Sequence, residues 1–246
     1  MIEQPKVTVI IANYNHGQYL KKSIESIRRQ SYKNFNIVLI DDGSTDPLTK
    51  EVLTEYAWEE DIEPIYNSEN KGKWAVLNQA LETVTAPYVM IHDADDIALE
   101  QKIEAHIKVL MQHDSLHSVA GFYHCFSEEN MMEHWNTKFD LSNIESIGHK
   151  ETYENCRNSR LNSNIGHYVV SPDYEIHGGA CLFATQIWRD GLKFTPPDMK
   201  LRIQKAEDSD LNTKITLLLQ KTSVVKLPLY CYRRNTSTND AWLRGL

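Results

Sequence analysis

Through about residue 110, apolar runs of strand length alternate with longer stretches in which apolar residues return every three or four positions. Val7 to Ala12 (VTVIIA) is a continuous β-branched run, the pattern of a strand buried on both faces of a parallel sheet. After Asn13-Tyr14-Asn15-His16-Gly17, Leu20, Ile24 and Ile27 recur at helical spacing among Lys, Glu, Ser and Arg, which predicts a helix packing back onto that strand. Ile37 to Ile40 predicts a second strand. Asp41-Asp42-Gly43-Ser44-Thr45-Asp46 is a turn feeding a helix from Pro47 to Tyr56. A third strand over Ile62 to Tyr66 leads through Asn67 to Lys73 into a helix carrying Ala75, Leu77, Ala80 and Leu81. Tyr88 to Ile91 predicts a fourth strand, ending at His92-Asp93-Ala94-Asp95-Asp96. Leu99, Ile103, Ile107 and Leu110 mark an amphipathic helix after it.

With right-handed crossovers this order makes an α/β fold, a Rossmann-like, mostly parallel central sheet flanked by helices. Ligands of such sheets bind at the carboxyl ends of the strands, where NYNHG, DDGSTD and DADD all fall. Beyond Val119 to Phe126 the periodicity weakens, and Ser127 to Ser171 reads as loops and short helices. Order returns with Gly178 to Ala184, a helix through Leu211, Ile215, Leu218 and Leu219, and a strand from Ser223 to Tyr232. The length of 246 residues fits one domain, 1–246, with an amino-terminal half (1–110) and a carboxyl-terminal half (111–246).

A net charge of -8 argues against nucleic-acid binding. An acidic protein that handles phosphate must neutralise it locally, through a metal ion or a few placed Lys and Arg residues. Cys125, Cys156, Cys181 and Cys231 form no CxxC pair, so neither a zinc site nor a redox motif is indicated. Neither a signal-peptide pattern nor a run approaching the roughly 20 apolar residues of a membrane span is present, so the expectation is a cytoplasmic protein with no transmembrane segment, peripheral membrane attachment being compatible with it.

Asp93, Asp95 and Asp96 repel one another unless a cation or proton intervenes. Oxygen ligands at a strand end suit Mg²⁺ or Mn²⁺, which takes one or two carboxylates and fills its other positions with phosphate oxygens and water. The bland alternative is a solvated turn in which Asp95 or Asp96 caps the helix that follows.

The segment VTVIIANYNHGQYLKKSIESIRRQSYKNFNIVLIDDGSTD, with AEDSDL and YRRNTS later in the same order, resembles the family 2 glycosyltransferases of the GT-A fold. The resemblance implies an inverting transfer of sugar from a nucleotide-diphosphate sugar, UDP being the expected nucleotide, to a hydroxyl of a glycan or lipid-linked acceptor, with the later half shaping the acceptor site. By position it brings Ala12 and Tyr14 to the base, the ring of Tyr14 stacking on it, and makes Asp42 an acceptor from the base. Lys71 or Lys73 would offset diphosphate charge. Asp93 falls near the ribose or metal and Asp95 becomes a direct metal ligand, with Asp96 a second ligand or a cap. Glu207-Asp208 matches the family's ED motif. Asp208 is then the general base, taking the acceptor hydroxyl's proton on the face opposite the leaving diphosphate, with Glu207, His177 and Gly178 on the acceptor side.

Two departures stand out. Ala12 replaces a frequent proline, and Asn235 takes the place of a carboxyl-terminal histidine that helps bind metal or phosphate, so Arg233 or Arg234 is expected to cover the diphosphate. A sugar-phosphate nucleotidyltransferase would carry a glycine-rich, arginine-bearing loop after the first strand, and this chain has none. GxGxxG and GxxxxGK are missing too, which argues against a dinucleotide oxidoreductase and a P-loop kinase. Retention of both DADD and EDSDL argues against a degenerate, non-catalytic sugar-nucleotide-binding subunit.

Overall fold

The computed structural model describes residues 4–113, 116–126, 131, 135–158, 168–171, 174–176, 178–196 and 221–233. Four parallel strands, β1 (Val7–Asn13), β2 (Phe35–Asp41), β3 (Ile62–Tyr66) and β4 (Tyr88–Asp93), stand in the order β3-β2-β1-β4. They alternate with α1 (Gly17–Arg28), α2 (Pro47–Tyr56) and α3 (Lys73–Thr83), each close to its expected place. Asp46 caps α2 by accepting from Thr49 N at 2.8 Å, and Pro47 fills the first turn, where its missing N–H costs nothing.

Beyond β4 the sheet continues through segments whose partners lie far apart in the chain. The two-residue β5 (Ile97–Ala98) precedes α4 (Lys102–Met111), and β6 (Ser118–Phe126) follows it. Then come β7 (Ser146–Ile147), α5 (His149–Asn158), the hairpin of β8 (Tyr168–Ser171) with β9 (Tyr174–Ile176), a 3-10 turn at Gly178–Ala180, β10 (Leu182–Ala184), α6 (Gln186–Arg189) and β11 (Thr222–Arg233). β10 runs antiparallel between β4 and β6, while β11 lies parallel to β6 and pairs antiparallel with β5 and β7. The helix expected through Leu211 to Leu219 lies outside the described residues. So do Glu207, Asp208, His177, Arg234 and Asn235.

The uninterrupted apolar character of β1 follows from its position, since helices cover both faces. Val7, Val9 and Ile11 pack with Leu20, Ile24 and Ile27 of α1, Val52 and Leu53 of α2, and Ile103, Ile107 and Leu110 of α4. Ile10, together with Val38 and Ile40 of β2, faces Val76, Leu77 and Ala80 of α3. All these aliphatic side chains are buried, each contributing roughly 1.5–3 kcal/mol of transfer free energy. Among the described residues no helix is long and apolar enough to cross a membrane.

Candidate active site

Parallel pairing aligns the carboxyl ends of β2, β1 and β4. In register, Asn13 stands beside Asp41, and Ala12 stands between Ile40 and Asp93. Asn13 Nδ2 donates to Asp41 Oδ1 at 2.7 Å, and Asp41 also accepts from Ser44 N (2.9 Å) and Ser44 Oγ. Asp41 thus shapes the turn. Asp42 turns the other way, and its two carboxylate oxygens accept from the backbone N–H groups of Lys71 (2.8 Å) and Gly72 (2.9 Å). That pairing stitches the β2–α2 loop to the loop before α3. It depends on Gly43, whose φ of +70° is left-handed and whose added Cβ would sit 2.5 Å from the Glu69 carbonyl carbon.

The β1–α1 loop is locked against the same turn. Asn15, at φ 57°, places its side-chain oxygen against Thr45 N (2.8 Å) and Asp46 N (2.9 Å), and its own N–H donates to Ser44 Oγ at 2.9 Å. An asparagine tolerates this left-handed backbone, and the local bonds offset its cost. Tyr14, one position earlier, is 41% exposed, and Ala12 is half-buried. Lys71 is exposed, its Nζ 3.3 Å from Asn67 Oδ1.

The carboxylates after β4 have three different surroundings. Asp93 is paired by Lys73 Nζ at 2.7 Å, so the lysine expected at a diphosphate neutralises a site carboxylate here. Asp95 Oδ2 lies 4.0 Å from His16 Nδ1, an ion pair when the imidazole is protonated. Burial raises the Asp95 carboxyl above the usual range, with Asp93 adding to the effect and His16 opposing it. Asp96 is 1% exposed. Its oxygens accept from the Tyr230 hydroxyl and from Arg233 N (2.7 Å), and burial first, then the charges of Asp95 and Asp93, holds its carboxyl well above the ordinary value.

Neither Asp95 nor Asp96 caps the following helix, as one reading of the sequence allowed. β5 intervenes, and the cap position of α4 is Gln101, whose side chain makes no capping bond and pairs instead with the Phe139 backbone. Arg233, expected over the diphosphate, is instead enclosed, because its place on β11 turns it into the protein. Its guanidinium lies 4.3 Å from the Tyr19 ring and 4.5 Å from the Phe126 ring, and Nε donates to the Asp95 carbonyl at 2.5 Å. Gly178 begins the 3-10 turn whose next residue, Gly179, lies against the Tyr230 ring.

Three further residues join the cluster that motif reading did not select. Lys102 is fully buried, which pushes its amine down to about 7. His92 and His106, also fully buried, are driven to about 3 and about 4 by burial, Lys102 adding to both. The available signal was a lysine on the apolar face of α4, one position before Ile103. Among the described residues no three His, Cys, Asp or Glu side chains stand in a metal-ligand arrangement. The donor chemistry does fit a hard dication, since Asp95 and Asp93 offer only oxygens, and a bound cation would relieve the desolvation and mutual repulsion that raise Asp95.

A family model described as Glycosyl transferase family 2 matches residues 8–170. Glycosyltransferase GlyA of Streptococcus pneumoniae serotype 4 is 28% identical over 244 residues, 98% of this chain and 32% of GlyA. S. aureus TarS 1-349 in complex with UDP-GlcNAc has a TM-score of 0.66 at 18% identity, covering 94% of this chain and 59% of that one. The mannosyltransferase PcManGT from Pyrobaculum calidifontis, in complex with GDP-Man and Mn²⁺, has a TM-score of 0.61 at 20% identity, covering 95% of this chain and 57% of that one. These likenesses show the shared GT-A fold. The chain spans less than two thirds of the length of each of the three.

Proposed function

The chain belongs to glycosyl transferase family 2, and on that premise we propose that it moves a sugar from a nucleotide-diphosphate sugar, with UDP as the nucleotide, to a hydroxyl of a glycan or lipid-linked acceptor, inverting the anomeric centre. The observation that carries this reading is the parallel register, which gathers Tyr14, Asp42 and the Asp93–Asp96 carboxylates at the ends of three adjacent strands. The TarS complex with UDP-GlcNAc supports the nucleotide class.

In this reading the uracil lies on the Tyr14 ring, over Ala12, and takes an acceptor from Asp42, whose carboxylate keeps lone pairs beyond those given to Lys71 and Gly72. Lys73, already beside Asp93, meets the diphosphate as it arrives, with Lys71 at the rim. Asp95 with Asp93 would hold Mn²⁺ or Mg²⁺, a cation that supplies Lewis-acid stabilisation of charge on the leaving diphosphate. The PcManGT complex with Mn²⁺ supports that assignment. Asn235, Arg234 and Arg233 belong to the segment that would close over the phosphates, although Arg233 serves as its anchor to Asp95 and Asp96. Asp208 accepts the proton of the attacking hydroxyl, with Glu207, His177 and Gly178 lining the acceptor side.

A panel of sugar nucleotides with Mn²⁺, Mg²⁺ or EDTA tests the reading. One donor should be hydrolysed slowly in metal and should raise the melting temperature by mass action. A protein that neither hydrolyses nor is stabilised by any member of the panel would contradict it.

A further inference from the structure

The proposed chemistry leaves the Lys102 amine without a task, yet it sits at the join between the carboxylates and the acceptor side. Lys102 is 0% exposed, its Nζ donates to the carbonyl oxygen of Gly179, and it lies 4.3 Å from the Tyr230 ring centroid. Tyr230, also 0% exposed, donates its hydroxyl to Asp96 Oδ2 and comes within 3.3 Å of Asp93 Oδ2. A Cβ on Gly179 would fall 2.0 Å from the Tyr230 hydroxyl, so tyrosine and turn occupy one fitted space. His106 Nε2 lies 3.0 Å from the next carbonyl of the turn, Ala180 O, and Nδ1 lies 2.7 Å from the carbonyl of Lys102, the neutral ring donating to one of the two. A chain of contacts therefore runs from α4 through the Gly178–Ala180 turn and Tyr230 to the acids after β4.

Among the described residues no carboxylate directly contacts this amine, and burying it in that way costs stability, some of which a methionine of similar length would recover. We infer that Lys102 is a positioning residue for transfer, holding Tyr230 and the Gly178–Ala180 turn together so that Asp93 and Asp96 keep a fixed relation to the acceptor side. The inference rests on the proposed glycosyl transfer. Loss of the amine frees the turn and the tyrosine while the contacts to base and ribose stay as they are, so turnover falls and donor affinity does not.

The test is a double-mutant cycle of K102M and Y230F, read on hydrolysis of the donor that the wild type accepts. Each single variant should lower kcat about tenfold with donor KM within about twofold, K102M should melt no lower than wild type, and the double variant should be no slower than the worse single one. UDP calorimetry in Mn²⁺ gives a readout apart from turnover. Coulomb's law alone makes removal of a positive group beside the acids strengthen cation-dependent binding, whereas lost positioning leaves it within about twofold of wild type. Wild-type kcat in K102M, additive losses in the cycle, or tighter Mn²⁺-dependent UDP binding overturns the inference. Should K102M not fold, G179A disturbs the same join with Lys102 intact, and full turnover by that variant is equally fatal. A wild type inert towards every sugar nucleotide and towards UDP refutes the functional reading, and the inference falls with it. An active wild type with an unaffected K102M refutes the inference alone.

Discussion

Replacing Asp42 with alanine separates two roles of one carboxylate. Its oxygens hold two backbone N–H groups at 2.8 and 2.9 Å, and the residue is 3% exposed. A hydrogen bond to a charged group contributes about 1.5–3 kcal/mol net, and the two orphaned donors lie in a partly buried loop where water reaches them, so the lower end applies to each and the loss is about 3 kcal/mol. For a chain of this size that corresponds to a fall of about 6–12 °C in melting temperature. Asp42→Asn keeps the shape and one acceptor oxygen but turns an N–H₂ towards a donor, so it should lose about half to two thirds as much. Urea unfolding with an unchanged slope measures both, and UDP calorimetry on the folded variants reports the base contact separately. A loss for Asp42→Ala below about 0.5 kcal/mol, the size of an ordinary surface substitution, would refute the claim that this side chain staples the two loops.

Asn15→Gly keeps the left-handed backbone and loses only the side-chain bonds to Thr45 and Asp46, while Asn15→Ala loses both; chemical denaturation should rank alanine lower by about 1 kcal/mol, and equal stabilities would show that the backbone is not strained. Asp95→Ala should abolish the gain in UDP affinity that Mn²⁺ confers, whereas Asp208→Asn should keep UDP binding and stop transfer; calorimetry with a transfer assay distinguishes them, and transfer at the wild-type rate by Asp208→Asn rejects the base assignment. His92 titrates at about 3 folded and near 6.5 unfolded, so the unfolded chain gains the proton first: its contribution is complete above pH 6.5 and is lost as pH falls towards 3. Asp96, with its folded value raised, acts with the opposite sign, so the informative quantity is a difference between variants. The stability gap between wild type and His92→Leu, followed by urea titration from pH 6.5 to 4, should shrink by about 1.4 kcal/mol per pH unit, and a flat gap would show that the ring is not held neutral.

Much of the amino-terminal half was legible before any coordinates. The bounds of α2 and β3 agree with the expectation, because Asp46 and Pro47 mark a start chemically and the apolar run from Ile62 is short. The helix after β4 begins later than its apolar spacing predicts, at Lys102. Leu99 shares the spacing of Ile103 and Ile107, but its segment is claimed by β5 and β11, whose pairing of Ala98 with Tyr230 no local pattern announces. Asp41 lies in the polar turn after β2 and bonds within it. Arg233 was assigned by motif, which indicates that a cation is wanted near the phosphates and says nothing of which way a strand will point it.

Periodicity and caps alone determined that strands and helices alternate and that three polar loops share one sheet edge, since burial repeats every two or 3.6 residues and parallel crossovers have one hand. Tertiary structure alone decided that β10 enters antiparallel beside β4, that Lys73 answers Asp93, and that Lys102 meets Gly179. Those partners are 20 to 96 residues apart in the chain, 73 with 93, 102 with 179, and 88 with 184 to 90 with 182. Local sequence specifies which side of an element is buried, but which distant group shares that interior is chosen by packing the whole chain at once.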